Sequence, residues 1–263
     1  MNEASIIAPL DFREAVEHAR SAEQRGDLNL LAWECRGFEW ESEGLRLIGR
    51  ARLELEANER TAAGKAKAPR VLLFTGHMID KPGREPRFPN TPAAEAQARR
   101  MIRDEVVKEQ ALANARIVGI SGGACGADIL FHEICAELNI PTELYLALPP
   151  DQFCVTSVAH AGPDWIERFE ALYKRLAPHV LGNTEELPVW LRAKPNYGIW
   201  QRNNLWMLFN ALAKNSEDLT LIALWDRGKA DGPGGTEDLV AQVRQRGQKA
   251  LILPAERLRE FQD

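Results

Sequence analysis

The residues best suited to chemistry form a run of small side chains, Ser121-Gly-Gly-Ala-Cys-Gly-Ala-Asp128, between a β-like apolar stretch and an amphipathic helix. Glycines let a backbone turn sharply and approach a ligand closely, and the start of the helix behind them offers free N–H groups and a partial positive charge. That combination suits a phosphate or a carboxylate. We therefore predict a ligand-binding turn made by Ser121, Gly122, Gly123, Cys125 and Gly126. The alternative is that the glycines serve only tight packing of the strand against the helix.

A second glycine turn, Asp231-Gly-Pro-Gly-Gly-Thr236, again follows an apolar run and opens a helix. Two such turns in one parallel sheet would project from the same edge, so we predict one shared site with Gly234, Gly235 and Thr236 as ligand contacts. Asp226 ends the preceding strand, where an acid commonly takes ribose hydroxyls. The alternative for this segment is a flexible surface loop.

A third group of candidates follows the first apolar run, at Thr75-Gly-His-Met-Ile-Asp80. We predict Gly76 as a ligand contact and His77 as a base or a hydrogen-bond donor. Arg84 and Arg87 lie in the Pro-rich loop that comes next, and they are predicted to clamp a phosphate through paired N–H groups. A structural turn histidine and two solvated arginines are the alternatives.

Most of the remaining candidates favour structural roles, with Phe153 as the exception. His132 lacks the second histidine of a zinc-protease helix, and no Cys/His spacing reads as a zinc site, so we predict neither a metal nor a cofactor. Cys125 stands at a helix start, which lowers the pKa of a thiol, but no partner base is identifiable. Phe153 is predicted to stack on a nucleobase. Three tryptophans at helical spacing are predicted to lie in the core: Trp165, Trp200 and Trp206.

These residues must be positioned by alternating strands and helices. Short apolar runs alternate with amphipathic stretches throughout residues 70–258, which predicts a Rossmann-like α/β fold: a parallel sheet of about five strands with helices on both faces. Residues 1–62 show helical spacing and are predicted to form a small N-terminal helical region. Residues 63–69 are small, basic and non-periodic, and they are predicted to be the linker.

Composition limits the class of partner. The 263-residue chain carries a formal net charge of −5, and this acidic balance disfavours bulk binding to nucleic acid. The four cysteines form no C-x-x-C pair and are predicted to be free thiols. No apolar run approaches the roughly 20 residues of a membrane helix, and no signal peptide is evident. We therefore expect a cytoplasmic protein without a membrane partner.

Three motifs together resemble a Rossmann-like module of bacterial signalling proteins, which often lies beside tetratricopeptide-type helices and sometimes beside nucleotide cyclases. More broadly they are similar to the SLOG superfamily, which includes the lonely-guy phosphoribohydrolases and the DNA-processing protein A fold. The resemblance covers residues 70–254 and is carried by Phe74-Thr-Gly-His-Met-Ile-Asp80 with Pro86-Arg-Phe-Pro89, by Ala124-Cys-Gly-Ala-Asp-Ile-Leu-Phe131, and by Leu224-Trp-Asp226 with Asp231-Gly-Pro-Gly-Gly-Thr236.

The resemblance implies a ligand such as a nucleotide, a cyclic nucleotide or an ADP-ribose- or NAD-like molecule, held by the two glycine turns. The phosphoribohydrolases use P-G-G-x-G-T-x-x-E, whereas Leu239 stands here where their glutamate falls. Glu237 and Asp238 are one or two residues out of register, which turns a carboxylate by about 100° or more on a helix.

We therefore expect a signalling sensor for a small nucleotide-derived ligand. Residues 1–62 are expected to contact a second copy of the chain or a helical-repeat protein. The alternative is an N-glycosidic hydrolase of the phosphoribohydrolase or NAD-cleaving kind, with four candidate acids and bases: His77, Asp128, Glu237 and Asp238. A third possibility, single-stranded DNA handling, is disfavoured because the chain lacks a basic stripe with interleaved aromatic residues.

Overall fold

The computed structural model describes residues 7–22, 24–61, 67–83, 86–228 and 234–261. The chain divides into two units. One comprises the residues up to Lys67 together with Glu186–Tyr197, and the other comprises Ala68–Glu185 and the residues from Gly198 onward. Residues 63–66 of the predicted linker lie outside the described residues.

The described residues of the first unit form three α-helices: α1 (Leu10–Ser21), α2 (Arg25–Glu34) and α3 (Glu41–Thr61). Apolar residues three and four apart on α1 are buried, as an amphipathic helix requires: Phe12, Val16 and Ala19. Gly26 lies inside α2, in its first turn.

Residues 186–197 belong to the core of this helical unit. A 3-10 helix, Val189–Leu191, buries Trp190 and Leu191 among the apolar side chains of α1, α2 and α3. The Trp190 ring lies 4.9 Å from that of Phe12 in an edge-on arrangement. Lys194 Nζ donates to the Glu34 carbonyl at 2.9 Å, at the end of α2, where a cation also suits the helix dipole. A segment far along the chain therefore completes the N-terminal unit.

The second unit is built on a six-stranded parallel sheet flanked by helices, which confirms the predicted Rossmann-like α/β class. Its elements are β1 (Arg70–Gly76), α4 (Pro92–Ala111), β2 (Ile117–Ser121), α5 (Ala127–Glu137), β3 (Thr142–Leu146), α6 (Pro150–Ser157), α7 (Pro163–Leu176), β4 (His179–Val180), α8 (Ile199–Lys214), β5 (Leu219–Trp225), α9 (Thr236–Gln245) and β6 (Lys249–Pro254). The sequence predicts about five strands, and the sheet has six.

The strand order is β4-β3-β2-β1-β5-β6. The chain moves outward from β1 to β4 and then returns to place β5 beside β1, so the direction of winding reverses between these two strands. In open α/β sheets, ligands bind beyond the carboxyl ends of the strands at such a reversal. The fold therefore predicts a ligand site beyond the ends of β1 and β5, at Gly76 and Trp225.

Ion pairs tie α4 to the opposite, amino-terminal ends of the strands. Glu109 on α4 is buried and accepts hydrogen bonds from Arg70 of β1 and, at 2.8 Å, from Lys249 of β6. Burial alone would raise the pKa of Glu109, but the hydrogen bonds from Lys249 and Arg70 outweigh it and hold the pKa below its ordinary value. A buried anion of this kind stabilises the fold only while both cations remain.

Of the helices within the described residues, none combines the length and the apolar character needed to cross a bilayer.

Candidate functional site

A cavity of about 740 Å³ opens at the winding reversal. Its walls include Phe74 to Met78, at and just beyond the end of β1, Trp225 at the end of β5, and residues that follow β2. It therefore lies at the carboxyl edge of the sheet, where the fold places ligands.

Both glycine turns line this one cavity. Nine of the sixteen predicted ligand-binding and catalytic residues are in its walls: Gly76, His77, Arg87, Gly122, Asp128, Gly234, Gly235, Thr236 and Glu237. Phe153, predicted to stack on a nucleobase, lines the cavity as well. Six others are not among the lining residues: Ser121, Gly123, Cys125, Gly126, Asp226 and Asp238. Arg84 lies outside the described residues.

The first glycine turn is closed by the protein itself rather than left open for an anion. The Ala124 amide donates to Asp128 Oδ2 at 3.3 Å, and the Cys125 and Ala127 amides donate to backbone carbonyls. A Cβ on Gly122 would lie 2.7 Å from the same carboxylate oxygen, so glycine at this position makes room for Asp128. The start of α5 thus holds its own carboxylate, and a bound phosphate would compete with it.

Asp128 is an acid in the cavity wall whose charged form is poorly stabilised by the protein. Its Oδ1 atom is buried and has no hydrogen-bond partner among the described residues. Burial raises the pKa of the Asp128 carboxyl to about 7, and the hydrogen bond from the Ala124 amide only partly opposes this rise. Near neutral pH the group is therefore divided between its acid and its carboxylate forms, which is a useful property for proton transfer.

The second turn is fixed by α8. Asn204 Nδ2 donates to the Gly234 carbonyl at 2.6 Å. Gly234 has a φ of +92°, and a Cβ there would lie 2.3 Å from the Gln201 backbone nitrogen. Only glycine fits this position, because any side chain would collide with the backbone of α8. The alternative of a flexible loop does not describe Gly234–Thr236, although residues 229–233 lie outside the described chain.

Asp226 has other partners than a ribose. Its Oδ1 atom accepts from the Gly228 amide at 2.9 Å and lies 3.0 Å from His77 Nε2, while its Oδ2 atom accepts from Arg259 at 2.7 Å. Burial would raise the pKa of Asp226, but the Gly228 and His77 contacts outweigh it and lower the pKa. With its side chain only 4% exposed, Asp226 acts as an anchor for His77.

His77 is held by one ring nitrogen and lines the cavity. Its Nε2 atom lies between Asp226 Oδ1 and the Asp226 amide, so the ring can donate to the first or accept from the second according to its tautomer. Its Nδ1 atom has no partner among the described residues and is not buried. Burial lowers the pKa of His77 despite the nearby Asp226, which keeps the ring largely neutral at pH 7. An imidazole in this state can serve as a hydrogen-bond partner or a base.

Other predicted residues are structural. Cys125 Sγ lies 3.5 Å from His160, but burial raises the pKa of this thiol to about 12, so the expected helix effect does not activate it. Gly123 packs against Phe169 and Leu144, as the packing alternative requires. Ser121 is fully buried and donates to the Phe74 carbonyl at 3.3 Å. All four cysteines are free, as predicted.

His132 fixes the first glycine turn through hydrogen bonds to Gly122 and Thr142. Its Nε2–H donates to the Gly122 carbonyl at 3.0 Å, and its Nδ1 atom accepts from the Thr142 hydroxyl at 2.9 Å. Burial lowers the pKa of His132 to about 4, so the ring stays neutral and both bonds persist at pH 7. The predicted structural role of His132 is confirmed.

One wall of the cavity was missed by sequence reasoning. Four residues spaced as one helical face of α8 line it: Trp200, Asn203, Asn204 and Met207. Trp165 and Trp206 lie in the core as predicted, whereas Trp200 is half-buried and faces the cavity. The two adjacent asparagines are a weak signal, because such residues disfavour a helix interior, but the sequence alone does not show which face of α8 is buried.

Within the described residues, no three His, Cys, Asp or Glu side chains come together as a metal site. No protein-family model matches the chain, and a comparison with curated proteins also finds no match.

Proposed function

We propose that the cavity binds a small nucleotide-derived ligand, such as a nucleotide, a cyclic nucleotide or an ADP-ribose- or NAD-like molecule, and that the protein is a signalling sensor. One observation carries the proposal: a single cavity of about 740 Å³ at the winding reversal is lined by both glycine turns. This volume is in the range of pockets that enclose small ligands.

The distribution of polar groups supports a ligand with distinct parts. Lys81 is exposed at the cavity, makes no ion pair with another described residue, and can take a phosphate together with Arg87. Asp128 and the hydroxyl of Thr75 are candidates for sugar hydroxyls. This assignment moves the ribose contact from Asp226 to residues that line the cavity.

The wider role is part of the same proposal. We place the second unit in the SLOG superfamily, in a cytoplasmic bacterial signalling protein. The helical unit then passes on the state of the ligand site, through a second copy of the chain or a tetratricopeptide-type partner. The motifs that carry the resemblance support this, since Gly76, Asp128 and Gly234, one from each motif, all line the cavity.

Isothermal titration against a panel of nucleotides, cyclic nucleotides, ADP-ribose and NAD tests the binding. We expect at least one dissociation constant below about 1 mM, which corresponds to about 4 kcal/mol. Lys81→Gln should weaken a 5′-monophosphate but not its nucleoside, whereas Lys174→Gln, on the exposed surface of α7, should change neither. Absence of binding across the panel would refute the proposal.

A second candidate is an N-glycosidic hydrolase, which the raised pKa of the Asp128 carboxyl favours. In that reaction His77 takes a proton from water, the water oxygen bonds to the ribose C1′, and the departing base takes a proton from Asp128. Chromatography of base released from AMP, CMP or NAD tests it. Release that is lost in Asp128→Asn supports this candidate, and loss in Glu237→Gln or Asp238→Asn would move the acid to α9.

A further inference from the structure

One face of α8 combines an aromatic ring, an amide and a thioether in the cavity wall. Trp200, Asn203 and Met207 make up this α8 face, while the neighbouring Asn204 is engaged in holding Gly234. A helix that covers a sheet ordinarily directs apolar side chains inward. The asparagine at the centre of this face therefore needs an explanation.

Asn203 has no partner among the described residues. It is 5% exposed, its Oδ1 atom is buried without a hydrogen bond, and its amide makes no other contact with a described polar group. Buried polar side chains are nearly always hydrogen-bonded, because leaving one unpaired costs stability. A half-turn of the amide presents either its NH₂ or its oxygen to the cavity. A ligand in the cavity can therefore supply the hydrogen-bond partner that Asn203 lacks.

The neighbours of Asn203 define the shape of that partner. The Trp200 ring lines the cavity and meets the Phe153 ring edge-on, with centroids 6.0 Å apart. Met207 adds a polarisable, adaptable surface one turn further along the helix. A planar group can stack on such a wall while its edge meets the amide. Nucleobases have these two features, since each has a π-face and an edge with adjacent donors and acceptors.

We infer that the α8 face, with Phe153, is a nucleobase subsite in which Asn203 pairs with the edge of the base and Trp200 stacks on its face. This inference rests on the proposed nucleotide ligand and assigns its orientation. The base lies against α8, and the sugar and phosphate extend toward Thr75 and Lys81 on the β1 side of the cavity.

Binding of base-bearing and base-free probes tests the subsite. The probes are AMP, GMP, CMP and UMP, each compared with ribose 5-phosphate by isothermal titration. We expect the wild-type protein to bind its preferred mononucleotide at least about tenfold more tightly than ribose 5-phosphate, because stacking and edge contacts are added. Asn203→Leu should weaken that mononucleotide about tenfold, and Trp200→Leu about 5- to 100-fold, while both leave ribose 5-phosphate unchanged.

A matched control separates loss of the subsite from damage to the helix. Asn210→Leu changes the same residue type on the same helix, two turns from Asn203 and outside the cavity wall, and should bind every probe as wild type does. Trp200→Phe retains a ring and should restore most of the affinity lost in Trp200→Leu. If Trp200→Leu does not fold, Asn203→Leu carries the test.

Two results overturn the inference in distinguishable ways. If wild-type protein binds mononucleotides but Asn203→Leu and Trp200→Leu bind them equally well, or weaken them and ribose 5-phosphate to the same extent, the base does not lie on α8 while the proposed ligand class stands. If wild-type protein binds none of the five probes and no cyclic nucleotide, ADP-ribose or NAD either, the proposed function fails, and the subsite fails with it.

Discussion

Replacing Asp128 with asparagine should make the protein more stable at neutral and alkaline pH. The carboxyl has one oxygen without a partner among the described residues, and its pKa rises from the ordinary value of 3.8 to about 7 on folding. Above pH 4 the unfolded chain releases this proton, whereas the folded chain retains it until about pH 7. The free energy of unfolding therefore falls as pH rises through this window.

The size of the effect follows from the displacement of the pKa. At about 1.4 kcal/mol for each pH unit, a rise from 3.8 to about 7 corresponds to at most about 4 kcal/mol. The asparagine side chain in Asp128→Asn would have the same shape as the protonated acid, and its amide oxygen can still accept from the Ala124 amide. The variant has no proton to lose, so its advantage over wild type should grow from nearly zero at pH 4 to this value at pH 8.

Urea unfolding of both proteins at several pH values between 4.5 and 8 measures this difference. Asp104→Asn, which alters an exposed carboxyl on α4, is the matched control and should follow the wild-type profile. Identical pH profiles for wild type and Asp128→Asn would show that the pKa of Asp128 is not raised on folding, and would refute this prediction. A wild-type protein that gains stability relative to Asp128→Asn as pH rises would refute it more strongly.

Three further outcomes are expected. Glu109→Gln should lower the free energy of unfolding by about 3 kcal/mol at pH 7, because it leaves two cations without their buried anion. Since folding lowers the pKa of Glu109, the difference between variant and wild type should shrink as pH falls below 4 in urea titrations. His132→Phe should cost about 1–3 kcal/mol in the same assay, because a buried carbonyl and a hydroxyl lose their partner; a neutral result would contradict the hydrogen bonds described for it. Gly234→Ala should lower the thermal midpoint more than Gly247→Ala. Both glycines have positive φ, but only at Gly234 would an added Cβ collide with backbone atoms, at 2.3 Å. Equal shifts would mean that the turn can move away from α8.

The α/β class was predictable because burial imposes its own spacing on the chain. β1 and β5 are buried almost throughout and read as continuous apolar runs, while α9 buries one face and reads with helical period. Thr91-Pro92 likewise indicates the start of α4, where the Thr91 hydroxyl accepts a hydrogen bond from the Ala94 amide at 3.2 Å. β4 has only two residues, too few for any period to be recognised.

The site was predictable in place but not in detail. The glycine turns after β2 and β5 follow from local pattern, and parallel strands bring them to one edge. The engagement of Asp226 depends on Arg259, which lies 33 residues further on and approaches only through the tertiary fold. Asn203 could not be distinguished from a surface asparagine, because only packing decides which face of α8 is covered. Long-range pairing, rather than residue type, determined both outcomes.

The helical unit is completed late in synthesis. Trp190 and Leu191, which fill its core, leave the ribosome roughly 120 residues after Lys67. Until then the nascent helices expose the apolar surface that these two side chains later cover, and they are exposed to chaperones and proteases. We expect a fragment that ends at Lys67 to lack this part of its core, and we expect the unit to fold alone only if residues 186–197 are joined back to it.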